Sequence, residues 1–588
     1  MKSPDLNHRP RTTARSRSAL QCHANAGRAT GGDVRACNAE RDRILASEIG
    51  TVRKRGSFPV EVALVYPNSY EIGSSNLGFQ CVYYTFNSFD EVRCERAFWD
   101  SRLIVPGIGG PVSIETGRRL PSFSMLAFSI SFEDDYLNVV RTLSSSGIHP
   151  LSSERREDEP LVVAGGPCTF MNPEPVAPFI DLFALGDGEV LVPLLVKKWI
   201  EVYGGAFAGK SDYLEALSCE EGIYIPRFMD VAYRVSGEVR SFSYRGRGGH
   251  RIRPLRSYGH GGDMPRLLSP YAHFSSMPLI EVGSGCSRGC RFCAASFIYR
   301  PVRRRGLEEM KRDIDRLISG DCRRIGLVGA SISDHPQLVH ILEHIVSRGA
   351  AAALSSMRLD GIDVEVVRLL RQLGVRSLTC APEAGSQRMR DVIKKSLTEE
   401  DILSAVERII EGGIRGLKLY FMIGLPFERD TDVEAIVGLL KKVKGIAGRH
   451  SPGPRVALKI NPFVPKPFTP FQWYPMERRG VLENKIKYLR REIRSIRGIP
   501  LKTGSVREST IQAVLSRGDR RLACVILDVV SSGSSFMLAM RHSGLDGGSY
   551  LYRERSAGEV FPWDFIDHDV KREWLYKDYQ RAERVASR

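Results

Sequence analysis

The chain has 588 residues, 42% of them hydrophobic and 26% charged, with a formal net charge of +17 at pH 7. That length exceeds a single hydrophobic core and predicts roughly two to four domains. No apolar run is long enough to span a membrane, and the 12 cysteines follow no disulfide framework, which excludes a membrane-spanning chain and a small secreted scaffold.

Residues 1–57 hold 12 Lys/Arg against 5 Asp/Glu and lack hydrophobic periodicity, so they read as a disordered basic tail. Such a tail is dispensable, a targeting segment, an RNA-attracting arm, or the product of an early start codon. From Pro59 the pattern alternates. Val60–Val65, Met125–Ile130, Leu161–Ala164 and Leu182–Leu185 read as buried strands, with helical stretches through Val82–Phe86, Asp134–Leu143 and on to Trp199. The strands run into Gly-rich turns, Gly165-Gly166-Pro167 and Gly186-Asp187-Gly188-Glu189. This predicts a doubly wound, Rossmann-like parallel sheet over 58–205, with ligands at the carboxyl ends of its strands. Residues 206–275, Gly-rich and basic, read as a connector.

From Pro278 the rhythm is strand, loop, helix. Strands are predicted at Pro278–Val282, Arg324–Val328, Ala352–Ser356, Ser377–Ala381, Gly416–Ile423 and Arg455–Asn461, with amphipathic helices between them. These six units suit a partial TIM-type (β/α)6 barrel over 276–475, since a closed barrel takes about 250 residues. The fold class is therefore α/β, followed by a mainly helical extension over 476–588. Lys418, within the fifth strand, is a candidate to point into the barrel. The Pro- and aromatic-rich run from Pro462 to Trp473 reads as a rigid strap or as a flap. Arg517-Gly-Asp-Arg-Arg521 carries no assignable chemistry.

After the first barrel strand comes Gly285-Cys286-Ser-Arg-Gly-Cys290-Arg-Phe292-Cys293, a C-x3-C-x2-C spacing. Three thiolates so close can wrap one inorganic centre and leave one metal position open. A structural zinc site wants four protein ligands, with His273 or His335 as the fourth; a four-iron cluster held by three cysteines keeps one iron free. The motif's place at the C-terminal rim of the first strand is where such barrels put their chemistry. Reduced thiols also imply a reducing compartment, hence the cytoplasm.

The cysteine motif, with Phe292 before its third cysteine, resembles the radical SAM superfamily. So do Ala381-Pro-Glu-Ala-Gly-Ser-Gln, Leu417-Lys-Leu-Tyr-Phe-Met-Ile-Gly-Leu-Pro and Asn461-Pro-Phe-Val-Pro-Lys-Pro-Phe-Thr-Pro-Phe-Gln-Trp, which are similar to radical SAM proteins with an N-terminal cobalamin-binding-like domain. Methylthiotransferases share parts of the pattern. The resemblance covers about residues 58 to 575. It implies a [4Fe–4S] cluster on Cys286, Cys290 and Cys293, S-adenosylmethionine (SAM) on the open iron, and a reductant of flavodoxin or ferredoxin type. It further implies that Gly329, Ala330 and Ser331 receive the methionine amino group and that Arg358, beside Ser356, pairs with the carboxylate. Glu383 would bind the ribose, and Gly424 would close a turn against adenine.

Cobalamin stays open at this point. The loop Tyr66–Gly78 lacks the Asp-x-His-x-x-Gly signature of families that ligate cobalt through histidine, and His149 sits in a turn. The reaction implied is reductive SAM cleavage to a 5′-deoxyadenosyl radical, for cobalamin-assisted methyl transfer or another C–H functionalisation of an unassigned substrate. The alternatives are methylthio transfer to tRNA or protein, or a non-catalytic iron–sulfur or zinc module that binds nucleic acid.

Overall fold

The computed structural model describes residues 31–104, 109–204, 209–249, 251–257, 267–318, 323–450 and 453–588. The tail through residue 30, most of the loop Ser257–Asp263, and Cys322 lie outside them. Residues 31–57 depart from expectation. Gly31–Ser47 is a helix (α1), Ile44 is fully buried, and Glu48 forms a solvent-free ion pair with Arg96 at 2.7 Å. An apolar anchor, a carboxylate matched to an arginine 48 residues away and the bonds of Gly50 and Val52 to Tyr84 and Tyr83 hold this segment, none with a local periodic signal.

The first sheet has the order β2-β1-β3-β4-β5-β6. Its members are β1 (Val60–Tyr66), β2 (Val92–Phe98), β3 (Met125–Ser129), β4 (Leu161–Gly165), β5 (Leu182–Ala184) and β6 (Ile223–Tyr224), all parallel except β6. Helices α2 (Leu77–Asn87), α3 (Asp135–Ser145) and α4 (Gly188–Tyr203) cover it. Asn76 starts α2 by accepting from the Phe79 N–H at 2.9 Å. β6, and the antiparallel pair β7 (Met229–Tyr233) and β8 (Val239–Tyr244), come from the stretch read as a connector. It completes the sheet rather than merely joining two units.

The second unit is a half-open barrel of two four-stranded sheets. One has the order β10-β9-β11-β12, from β9 (Leu279–Ser284), β10 (Arg303–Arg304), β11 (Arg324–Gly329) and β12 (Ala351–Leu354). The other has the order β13-β14-β15-β16, from β13 (Ser377–Glu383), β14 (Gly416–Ile423), β15 (Arg455–Pro462) and β16 (Leu501–Thr503). A bridge between Met357 and Cys380 stitches them together. Between the strands run α5 (Leu307–Ile318), α6 (Leu338–Ser347), α7 (Val364–Gln372), α8 (Glu399–Glu411) and α9 (Asp430–Gly448). In α8, Ile402, Ala405, Val406, Ile409 and Ile410 are buried at helical spacing, and Thr398 with Asp401 forms a capping box. β16 is a strand that the apolar pattern did not announce. Only three residues long, it pairs parallel to β15 after α10 (Arg479–Arg494).

The rest of the extension, α11 (Val506–Arg517), α12 (Leu522–Ser532) and α13 (Arg572–Ala586), is helical as expected. No single described helix is long and apolar enough to cross a membrane. The Arg517–Arg521 motif is now explained: it clasps the first unit. Arg520 donates to the buried Glu174 at 2.8 Å and to the Tyr224 hydroxyl at 2.9 Å, and Asn172 donates to the Gly518 carbonyl at 2.7 Å. Removing one partner of such a buried pair strands the other. Glu174→Ala is therefore expected to lower stability by about 3 kcal/mol in urea unfolding; an unchanged midpoint would contradict the clasp.

Candidate active site

The cysteine loop leaves β9 through Gly285 and turns at Gly289, with φ of +84° and +66°. A Cβ at Gly285 would meet the Tyr299 carbonyl at 2.8 Å, so the first turn requires glycine. Two arginines within the loop tie it down from opposite sides. Arg291 is buried and donates to the Val392 carbonyl at 2.7 Å and to Asp578 of α13 at 3.1 Å. Arg288 donates to Asp334 at 2.8 Å and to Asp360 at 3.0 Å. Phe292 is half-buried and packs on the main core. Burial pushes the Cys290 thiol up, against Lys395 and Arg358, and pushes Cys293 up to about 12. Metals bind such thiols as thiolates, so taking up a metal releases their protons.

Among the described residues no three His, Cys, Asp or Glu side chains converge on one ion-sized point. A four-iron cluster asks for something else, because each thiolate binds its own iron and the ligands stand apart. His335 cannot complete a zinc site here: one ring nitrogen faces the Arg305 carbonyl at 2.9 Å and the other accepts from the Gln337 N–H at 3.2 Å. His273 is exposed and lies against Glu71 at 3.1 Å.

Neighbouring strand ends gather round the loop. Gly329 pairs with Gly283, and Gly329 and Ser331 line a small crevice with Cys286 and Ser287. The Ser331 hydroxyl donates to Asp334, the same carboxylate that holds Arg288. Glu383 ends β13 at a register slip with φ +68°, a strained backbone for a non-glycine residue. Burial raises its carboxyl above the usual range, more than Lys395, 3.3 Å away, and Arg358 hold it down.

Two expected residues sit differently. β12 ends at Leu354, so Ser356 is exposed in the following loop rather than closing a strand. The Arg358 guanidinium is already matched by Asp360 at 3.0 Å and by the Lys395 carbonyl at 3.0 Å. Gly424, at φ +72°, donates its N–H to Glu428 at 2.8 Å, and a Cβ there would strike Leu482 of α10. Arg288, Asp334, Asp360 and Lys395 form the support that sequence reading missed, because aspartates in βα turns are too common to signal a network.

A cavity of about 470 Å³ lies between the two units. Gly165, Gly166, Asp187 and Glu189 line it from the first sheet, so both Gly-rich turns reach it as expected; Gly283, Ser284, Gly285 and Ala330 line it from the barrel. It continues into an apolar slot between α2, α4 and the sheet, walled by Leu64, Ala127, Val163, Val192 and Leu195. Burial, helped by Asp187 for Glu189 and by Glu189 for Glu281, pushes both carboxyls up. No histidine lines the cavity among the described residues; His149 lies against Glu154 at 3.3 Å.

Residues 78–226 match the model of the N-terminal domain of radical SAM proteins, and residues 280–440 match that of the radical SAM superfamily. The chain belongs to the radical SAM superfamily. The second match contains the cysteine loop and the ends of β9, β11, β12, β13 and β14. An uncharacterized protein of Methanocaldococcus jannaschii is 27% identical to this radical SAM protein over 490 residues, 82% of this chain and 94% of that one. The ribosomal protein uS12 methylthiotransferase RimO of Thermotoga maritima is 21% identical over 179 residues, 28% of this chain and 41% of that one. Among solved structures, the radical SAM methyltransferase TsrM of Kitasatospora setae, with cobalamin and a [4Fe–4S] cluster bound, aligns at 14% identity and TM-score 0.46, covering 68% of this chain and 74% of that one. Superfamily membership implies a [4Fe–4S] cluster and SAM.

Arg288→Ala removes the outer tie of the cysteine loop without opening the core. The variant is expected to fold with an unchanged far-ultraviolet spectrum and to lose a reconstituted cluster several-fold faster, followed as bleaching of its visible absorbance.

Proposed function

We propose that Cys286, Cys290 and Cys293 hold the cluster and that the chain uses SAM to functionalise a substrate C–H bond, with a corrinoid in the inter-unit cavity serving methyl transfer. The observation that carries this reading is the cavity itself. It joins the carboxyl ends of a doubly wound sheet, where such folds take ligands, to the residues that lead into the cysteine loop. Its apolar slot suits the flat base of a nucleotide tail, and the lining holds glycines where a bulky ring must approach the backbone. Without a histidine in the lining, this chain would hold the corrinoid through its edges and tail, with no lower ligand of its own.

Cys286, Cys290 and Cys293 would hold a [4Fe–4S] cluster, which when bound and reduced by a flavodoxin- or ferredoxin-type donor would supply the low-potential electron for reductive cleavage of SAM. The chain's own residues orient and shield. The Gly329–Ser331 segment meets the methionine end beside Cys286, and Ser331 is held for this by Asp334. Glu383, aimed by its strained backbone, would accept from ribose hydroxyls, and the Gly424–Pro426 turn would face adenine. With Arg358 matched to Asp360, the carboxylate end meets an already neutralised pair, so Arg358 orients more than it attracts. Orientation of this kind, with water excluded, is what a protein contributes when the cofactor does the difficult step. Methylthio transfer is less well supported, because the extension after β16 is helical rather than a small β-barrel.

Cys290→Ala is expected to abolish both iron retention and 5′-deoxyadenosine formation; unchanged formation would refute the ligand assignment. For the corrinoid, the reconstituted chain passed over a desalting column after hydroxocobalamin should keep the corrinoid absorbance, and Val163→Trp, which fills the slot, should lose it with iron content unchanged. A wild-type protein that keeps no corrinoid would remove the methyl-transfer reading.

A further inference from the structure

Sheets of parallel strands are ordinarily covered and apolar on both faces. β14, β15 and β16 are not. Their convex face follows the rule: Leu417, Leu419, Phe421, Ile423, Val456, Leu458 and Ile460 are buried against helices. Their concave face, turned to the interior of the half-open barrel, carries Lys418 and Tyr420 on β14, Arg455 and Lys459 on β15, and Lys502 on β16. Lys418, Arg455 and Lys502 are exposed and Lys459 is half-buried.

The register puts Tyr420, Lys459 and Lys502 side by side in one row, with Lys418 in the row before it. Adjacent strands stand about 4.8 Å apart, and like charges placed opposite one another destabilise a sheet. These three strands present no carboxylate on this face, and none of the four cations has an ion-pair partner among the described residues. Lys459 instead stands over the Tyr420 ring, 5.6 Å from its centre.

Three lysines elsewhere in the fold, two of them buried, make the contrast. Lys395 is paired with Glu383, Lys485 with Glu428 and Lys466 with Glu133. Each of these three meets a carboxylate, whereas among the described residues β14, β15 and β16 offer none on the concave face. β16 is also the edge of the barrel, so the row of cations leads from the open side inward. Lys459 lies three residues, about 10 Å, before the carboxyl end of β15, near enough to hold one end of a substrate whose other end meets the chemistry at the strand tips.

The geometry points to a substrate that carries at least two anionic groups, phosphate or carboxylate, held by Lys418, Lys459 and Lys502. This rests on the reading of the barrel as the radical SAM substrate chamber and adds to it the chemical class of what enters. The test is titration calorimetry on the full reconstituted chain at low ionic strength, with pyrophosphate and citrate as probes. The wild type should bind at least one of them, more weakly as salt is raised, and Lys418→Met/Lys459→Met should bind about tenfold more weakly with an unchanged melting temperature. Preference for pyrophosphate assigns phosphate, and preference for citrate assigns carboxylate. Should the double variant fold poorly, Lys502→Glu at the exposed edge serves in its place, with weaker binding again expected. Binding of neither probe by the wild type, or equal binding by folded variants, overturns the proposal. Reductive SAM cleavage by the wild type is measured in parallel, so failure of the radical reading shows separately from failure of the anion site.

Discussion

The structure turns on how a nine-residue loop rich in glycine and cysteine is kept in one shape. Gly285 and Gly289 let it curl, and that freedom would leave the thiols loosely placed. Arg288 and Arg291 remove the freedom again: one is tied outward to Asp334 and Asp360, the other inward to Asp578. The inner tie is worth more, since its partners are buried and a charge left alone there is costly. The outer tie is partly exposed and would contribute little to stability by itself. Its consequence is positional, because Asp334 also fixes Ser331. A loop movement at the cysteines is thereby linked to the next strand end.

This arrangement separates two jobs within one barrel. The strand tips hold strained or tightly bonded polar residues, Glu383 with its positive φ and Gly424 with its N–H taken by Glu428, which suit a ligand of fixed shape. The concave face of β14–β16 holds long lysines that have no ion-pair partner among the described residues, which suits a ligand that arrives from outside. The first sheet is held over the other side by the Glu174–Arg520–Tyr224 clasp, so the cavity between the units depends on contacts made more than 290 residues along the chain.

Much of this was legible in the residues because it is local. Alternating apolar runs announced both α/β units, and the C-x3-C-x2-C spacing marked a metal centre whose kind only the family resemblance narrowed. The strand ends at Gly329 and Glu383 can be counted from periodicity, while their part in holding SAM is implied by the resemblance alone. What stayed hidden is non-local. Nothing near Glu48 signals Arg96, nothing near Arg520 signals Glu174, and β16 is too short to show a pattern. Ser356 falls outside its expected strand because β12 ends two residues sooner, at Leu354, and the pairing of Arg358 with Asp360 is a turn contact that apolar periodicity does not reveal. That Lys418 and Lys459 have no ion-pair partner among the described residues likewise needs the register of three strands before it means anything.

The central claim is an iron–sulfur centre with one position open to SAM. Electron paramagnetic resonance of the anaerobically reconstituted, dithionite-reduced chain tests it most directly. The account predicts a [4Fe–4S] signal, with roughly four irons per chain, that changes in shape when SAM is added. A signal indifferent to SAM, or a chain that takes up zinc and no iron, would contradict it.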